Sequence, residues 1–316
     1  MSIYLTLNSL RIQHANAMPA WNLVGAPSIT AHLGFGGALA HRYGAKFEGV
    51  AILHQGLELE GMMGDYNRFS PNRVRGLPPA KNASESTKGK SLAMSDQPGV
   101  SAYYDCSLII KLNEDAEASM LDDITTGRFE EWFFGSARIA GGVIFKAPKP
   151  PQFFESASEA MESLGKRGFW VVDRANLIEE RMAGEDQLDA VIRILYPENE
   201  KNEATGDEVD EKRDDVELVF SEHKKSFDRN EDVEDDTGVK IRMAGRPWRA
   251  LSCVGYRTLT EFAQRVGVRK GLPHAFAEPI LGLVEYLPAR KAGDCPPIFW
   301  RFRQPDSRTF VGQSEW

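Results

Sequence analysis

Three stretches of this chain combine residue types that bind phosphates and bases. In the first, Arg138-Ile-Ala-Gly-Gly-Val-Ile-Phe-Lys146, the pair Gly141 and Gly142 would let main-chain amides approach a phosphate without side-chain interference. Arg138 and Lys146 would add charge-assisted contacts. The same residues also read as a tight turn opening a strand, with surface cations. The second stretch runs from Lys240 to Arg257, where Lys240, Arg242, Arg246, Arg249 and Arg257 are interleaved with Trp248 and Tyr256. Single-stranded RNA is held by such a mixture, cations on phosphates and flat side chains under unstacked bases. Trp248 in the core, with the arginines on a solvated face, is the competing reading. The third stretch holds Arg11, Gln13, His14 and Asn16 at the end of a strand pattern. His14 could exchange protons near neutral pH, yet no partner for it is identifiable within the segment, so His14 and Asn16 read as structural or RNA-contacting residues.

The elements that position these residues follow from periodicity. Ile3, Leu5 and Leu7 alternate, and Leu10 and Ile12 continue the alternation after a one-residue change of phase, which predicts a strand. Pro19 and Gly25-Ala-Pro27 break it. A helix follows, with Ser28 as its cap, a stripe from Ile29 through Leu33 to Leu39, and Gly44 at its end. Gly34, Gly36 and Gly37 inside it imply close contact with another backbone, because glycine costs about 1 kcal/mol in a helix interior. Further along, Phe47 to Leu53 and Ala102 to Leu112 read as strands, and Leu121, Ile124, Phe129, Trp132 and Phe133 as one helix. Pro148 to Pro151 marks a linker. Beyond it, Phe154, Ala157, Met161 and Leu164 predict one helix face, Phe169 to Val172 a buried strand, and Leu188, Val191, Ile192 and Leu195 another helical stripe. Phe276, Ile280, Leu283, Val284 and Leu287 predict a further helix, interrupted near Pro279. Trp300 to Arg303 reads as a strand with one basic face.

Net charge is −8, which argues against nucleic-acid binding until it is located. Between residues 198 and 236 there are 17 acidic and 6 basic residues, a local charge of −11, which leaves +3 on the rest of the chain. The body is therefore mildly basic and carries an acidic insert with too few large apolar residues for a core. Only Val216 to Phe220 could form a strand within it. A long loop, residues 65–99, carries six basic residues, Arg68, Arg73, Arg75, Lys81, Lys88 and Lys90, against Asp65, Glu85 and Asp96. It reads either as an arm toward nucleic acid or as a surface excursion. Three scattered cysteines argue against a disulfide framework or zinc ribbon and fit a reducing compartment. The histidines show no metal-like spacing, and Gly34-Phe-Gly36-Gly37 has Leu39 where a dinucleotide loop needs its last glycine, so neither metal nor cofactor is expected. No run approaches a membrane span or a leader, which predicts a cytoplasmic protein.

Six blocks in order, Leu10 to Ala17, Pro27-Ser28, Gly34 to Arg42, Arg138 to Gly142, Gly255-Tyr256 and Phe276 to Leu287, resemble the second subunit of type I-F CRISPR-Cas surveillance (Csy) complexes, a RAMP-superfamily protein. The resemblance implies an α+β chain: a RAMP-type ferredoxin-like (RRM-like) domain over residues 1–147 and an irregular second region over residues 148–316. It implies a non-catalytic subunit that binds the 5′ handle of the CRISPR RNA, caps the filament of backbone subunits and docks the large subunit that inspects target double-stranded DNA. The RNA-contacting set would be Arg11, Gln13, His14, Asn16, Arg138, Gly141, Gly142, Lys146, Arg246, Trp248, Arg249, Tyr256 and Arg257. A CRISPR-RNA-processing endoribonuclease of the same superfamily and a small-molecule enzyme with glycine-rich turns are the alternatives.

Overall fold

In the computed structural model, which describes residues 2–20, 23–64, 68–71, 73–74, 99–182, 186–195, 218–220, 238–241, 248–264, 272–291 and 298–314, the N-terminal alternation forms one long strand, β1 (Ser2–Asn16). The change of phase is a bulge. Ser9 adopts φ 55°, and the pairing register shifts between Leu7 and Leu10, which keeps Leu7, Leu10 and Ile12 all buried. A second shift lies between Ile12 and Ala15, where His14 also has φ 55°. Helix α1 (Ile29–Arg42) starts as expected, with Ser28 Oγ accepting the Ala31 N–H at 3.2 Å. The glycine expectation holds only in part. A Cβ on Gly36 would collide with the Phe47 ring, but one on Gly34 or Gly37 would meet nothing within 4 Å. Those two glycines lie on the helix side away from Ile29, Leu33, Phe35 and Leu39, which bury the opposite stripe.

The chain continues through β2 (Phe47–Gly64), the short β3 (Arg68–Pro71) and β4 (Arg73–Val74), and β5 (Gly99–Asn113). The single helix expected over residues 121–134 is two, α2 (Glu117–Thr125) and α3 (Arg128–Gly135), because Gly127 breaks it with φ 77°. A hairpin of β6 (Arg138–Ile139) and β7 (Gly142–Lys146) follows. Strands β7, β1, β5 and β2 lie side by side in that order, each antiparallel to its neighbour. Leu10, Ile12, Tyr104, Leu108 and Ile110 face a core shared with Leu33 and Leu39 of α1, Met120 of α2, and Phe129 and Phe133 of α3. Burying each such apolar side chain stabilises the fold by about 1.5–3 kcal/mol relative to exposure.

After the proline linker, Phe154 lies in a strand, β8 (Gln152–Phe154), paired with Tyr4 of β1, not in a helix. Ser156 then caps α4 (Ala157–Leu164), accepting from the Glu159 N–H. This helix covers part of the other sheet face through Ala160 and Leu164, against Leu53, Ile109 and Trp170. Next come β9 (Phe169–Asp173), α5 (Ala175–Arg181) and α6 (Gln187–Leu195). Half of the α6 stripe holds: Val191 and Leu195 are partly buried against Ile178, Ile194 and Leu283, whereas Leu188 and Ile192 are exposed.

Strand β10 (Leu218–Phe220) pairs with β11 (Gly238–Ile241), which in turn pairs with β2; Val216 and most of the acidic insert and basic loop lie outside the described residues. The last strands are β12 (Trp248–Thr258), β13 (Ala277–Pro288), β14 (Trp300–Asp306) and β15 (Thr309–Ser314). The helix expected over 276–287 is therefore a strand. Leu283 and Val284 are consecutive and both buried, so apolar residues stand at neighbouring positions and imitate a helical stripe, while Pro279 suits an extended chain. Pairing of Trp300 with Val50 returns β14 to β2 and closes β2, β9, β13, β12, β15 and β14 into a ring. Trp300 is buried inside it, its Nε1–H donating to Val171 O at 2.8 Å. The protein is thus α+β, with one antiparallel sheet that runs from the first region into the second. No helix among the described residues is long and apolar enough to cross a membrane.

Candidate nucleic-acid interface

Two bulges and a hairpin bring distant segments to one cleft. The His14 bulge ends β1 so that the Asn16 N–H donates to Ala140 O at 2.9 Å, tying β1 to the hairpin turn. That turn is Ala140-Gly141, with φ 51° and 77°; the left-handed pair matches the twist of the flanking strands. On β12 the register shifts between Cys253 and Gly255, and a Cβ at Gly255 would collide with Phe310 O of β15. Only glycine lets β15 approach there, and the bulge delivers Tyr256 to the cleft mouth. The resulting cleft, about 330 Å³, is lined by Asn16, Ser28, Thr30, Ala31, Ala140, Tyr256 and Phe302.

Among the described residues, no charged side chain lines this cleft. What it offers is neutral hydrogen-bonding groups, two aromatic rings and the start of α1. Asn16 Oδ1 accepts from the Met18 N–H at 2.9 Å, which leaves the Nδ2 donors for an incoming acceptor. Thr30 Oγ1 lies 3.0 Å from Ser28 Oγ. The first turn of α1 contains no acidic residue, so its N–H groups and dipole favour a negative group. Burial pushes the Tyr256 hydroxyl above its ordinary value, so it stays protonated and can both donate and accept. Beneath the turn, His32 Nδ1 lies 2.8 Å from Ser28 O and Nε2 lies 3.1 Å from the Tyr104 hydroxyl. Burial holds His32 at about 4, neutral at physiological pH; Nδ1–H therefore donates to the carbonyl and Nε2 accepts from Tyr104.

The remaining candidate residues occupy separate neighbourhoods. Arg11, Gln13 and Lys146 stand on the sheet face away from α1. There the Arg11 guanidinium lies 5.7 Å from the Tyr103 ring and 5.9 Å from Phe145, and pairs with Asp105 at 3.5 Å. Gln13 Nε2 donates to Tyr103 Oη at 3.3 Å, and Lys146 pairs in register with Arg11. His14 is exposed and has a partner that local sequence could not supply, Glu60 Oε2 at 2.7 Å, which also accepts from Ser101 Oγ at 2.6 Å. Arg138 donates to the carbonyls of Ala137 and Gly135 at the end of α3. The tandem glycine divides: Gly141 is exposed, whereas Gly142 is buried against β1, where a Cβ would lie 2.7 Å from Gln13 O. Trp248 stacks on Tyr286 at 4.6 Å, and Arg249 pairs with Glu285 at 3.4 Å. Trp248 and Tyr256 are eight residues apart on one strand, roughly 27 Å at the usual rise, so they do not form one patch. Arg257 is exposed beside Tyr256, and Arg246 lies outside the described residues.

Sequence reasoning missed Thr30 and Phe302 as cleft residues and Tyr103 and Phe145 as partners of Arg11. The cap at Ser28 was the available signal for Thr30; nothing local marks Phe302, which reaches the cleft only through the pairing of β14 with β15. No group of histidine, cysteine, aspartate and glutamate able to hold a metal occurs among the described residues. No curated protein matches the chain. A family model described as CRISPR-associated protein (Cas_Csy2) matches residues 5–310, which takes in both faces of the cleft and nearly all of the sheet. The chain therefore belongs to the Cas_Csy2 family of type I-F CRISPR-associated subunits.

Proposed function

We propose that this chain grips the 5′ handle of a CRISPR RNA without turnover, caps the filament of backbone subunits and docks the large subunit, as part of a cytoplasmic complex that inspects target double-stranded DNA in antiviral defence. In such complexes base pairing by the guide supplies sequence specificity, and the proteins grip backbone and shape. One observation carries the reading. Asn16, the Ala140-Gly141 turn, Tyr256 and the start of α1 come from four separated segments and converge on a cleft of neutral donors, acceptors and flat rings. An unpaired base uses those groups, whereas a metal would need carboxylate, imidazole or thiolate ligands. Support for a RAMP-type ferredoxin-like domain over residues 1–147 comes from the chain order β1, α1, β2, β5, α2 with α3, β7 and the spatial order β7-β1-β5-β2.

Expression with the neighbouring subunits, purification at moderate salt and sequencing of the bound RNA test the proposal. Uniform repeat-derived 5′ ends are expected, with a reduced yield for Tyr256→Ala, since stacking on one ring is worth about 1–3 kcal/mol per base. Random RNA, or none, overturns it. The His14–Glu60 contact favours one second reading, an endoribonuclease in which His14 moves the proton and Glu60 orients it. Cleavage of repeat RNA by the wild-type chain that vanishes in His14→Ala would establish that reading in place of the first.

A further inference from the structure

Phe302 borders two clefts. Besides the one described, it lines a second of about 400 Å³ with Lys46, Phe47, Glu48, Lys111 and Arg301. Lys46 and Phe47 follow the C-terminal end of α1, Phe47 packs beneath Gly36, and Gly312, opposite Phe302 in the β14–β15 pairing, packs against Leu33 and Ile29. The two clefts thus adjoin along the flank of α1, with the half-exposed Phe302 ring between them.

Their chemistry differs. Among the described residues, the first holds no charge and the second holds three cations and one carboxylate. That carboxylate is already engaged, since Glu48 Oε2 accepts from Ser2 Oγ at 2.7 Å and lies 3.6 Å from Lys111 Nζ. The hydrogen bond from Ser2, followed by the nearby Lys111 and Lys46 charges, holds the Glu48 carboxyl below its ordinary value, so it remains ionised and the lining carries a net positive charge. Lys111 is further fixed 5.7 Å from the Tyr4 ring. Cations on one side of an exposed flat ring match phosphates that follow an unpaired base. An acidic peptide would use the cations and leave the ring idle, and a duplex would hide its bases from Phe302.

We infer that a single strand held at the first cleft continues over Phe302 into the second, where Lys46, Lys111 and Arg301 hold its phosphates and Phe302 stacks a base. This subsite rests on the RNA reading above and adds to it a single-stranded nucleic-acid path along α1, with base recognition at one end and phosphate grip at the other.

The test is a salt titration of the full chain, freed of RNA, with fluorescein-labelled oligouridylate as the probe. Each single-strand phosphate contact contributes about 0.7 to the slope of log K against log salt, so Lys46→Ala with Arg301→Ala should lower that slope by about 1.4. Lys46→Arg with Arg301→Lys, which keeps both charges, should restore it. Phe302→Ala should weaken binding about tenfold with the slope unchanged. An unaltered slope in the double alanine variant, alongside weaker binding by Tyr256→Ala, overturns the second subsite and leaves the first cleft intact. An unaltered slope combined with loss of a co-purifying subunit overturns it in favour of a protein contact. No oligouridylate binding by the wild-type chain removes the RNA reading itself.

Discussion

Gly141 and Gly142 are neighbours, yet alanine should affect them differently. A Cβ at Gly142 would lie 2.6 Å from Ile12 Cγ2, 2.7 Å from Gln13 O and 2.8 Å from Ala15 N. Two of those three atoms are backbone of β1, so no rotamer change relieves the contact and β7 must move away from β1. Overpacking a filled site costs about 1–3 kcal/mol, and backbone partners place Gly142→Ala near about 3 kcal/mol. At Gly141, whose φ is 77°, a Cβ would meet nothing within 4 Å. Only the left-handed conformation is penalised there, by about 1–2 kcal/mol. In a chain of this size 1 kcal/mol lowers Tm by about 2 °C, which predicts losses of about 6 °C for Gly142→Ala and about 2–4 °C for Gly141→Ala. Thermal melts of both variants in one buffer make the comparison. Movement of β7 also displaces Ala140, whose carbonyl accepts from Asn16, so Gly142→Ala should lose RNA affinity below its melting temperature as well. If Gly142→Ala melts with the wild-type chain, or Gly141→Ala is the more damaging change, the close approach of β7 to β1 is refuted.

Acid should destabilise the fold through two histidines. Burial holds both His32 and His54 at about 4, against 6.5 for the exposed group. The unfolded chain therefore binds more protons between those values; the stability is fully present above pH 6.5 and is lost as pH falls toward 4, by about 3 kcal/mol per histidine. Urea midpoints across that range check it, and His54→Phe, which keeps a ring against Tyr104 and Tyr286 and removes one titrating group, should flatten the profile by about half. A wild-type midpoint indifferent to pH would sink the argument. Trp300→Phe removes the indole hydrogen bond to Val171 O in the core and should cost about 1–3 kcal/mol, read from the same midpoints.

Local signals in the sequence carried far where local physics decides the structure. The break in alternation between Leu7 and Leu10 is the Ser9 bulge, Ser28 is the cap of α1, and Gly141 lies in a turn between two strands, the second of which Gly142 opens. Tertiary context overrode the rest. Consecutive buried residues in β13 looked helical, because a strand covered on both faces loses its alternation. Leu188 and Ile192 of α6 looked like part of one core stripe with Val191 and Leu195 but face outward, since periodicity locates a face without fixing how far round the helix the core reaches. Asn16 and Tyr256 were legible as candidates one at a time. Their meeting was not, because it depends on the ring closed by Trp300 and Val50 and on Phe302, residues far apart in the chain. Trp248 and Tyr256 show the opposite relation: neighbours in the sequence pattern, they are separated along the extended strand β12.

Photo-crosslinking from the first cleft tests the central claim most directly. With Tyr256 replaced by a benzoyl-phenylalanine, the chain is assembled with its neighbouring subunits and CRISPR RNA, irradiated, and the joined nucleotide mapped. Crosslinks confined to repeat-derived nucleotides at the 5′ end are predicted. Crosslinks spread along the spacer, or none while the complex retains its RNA, would contradict the assignment of this cleft to the handle.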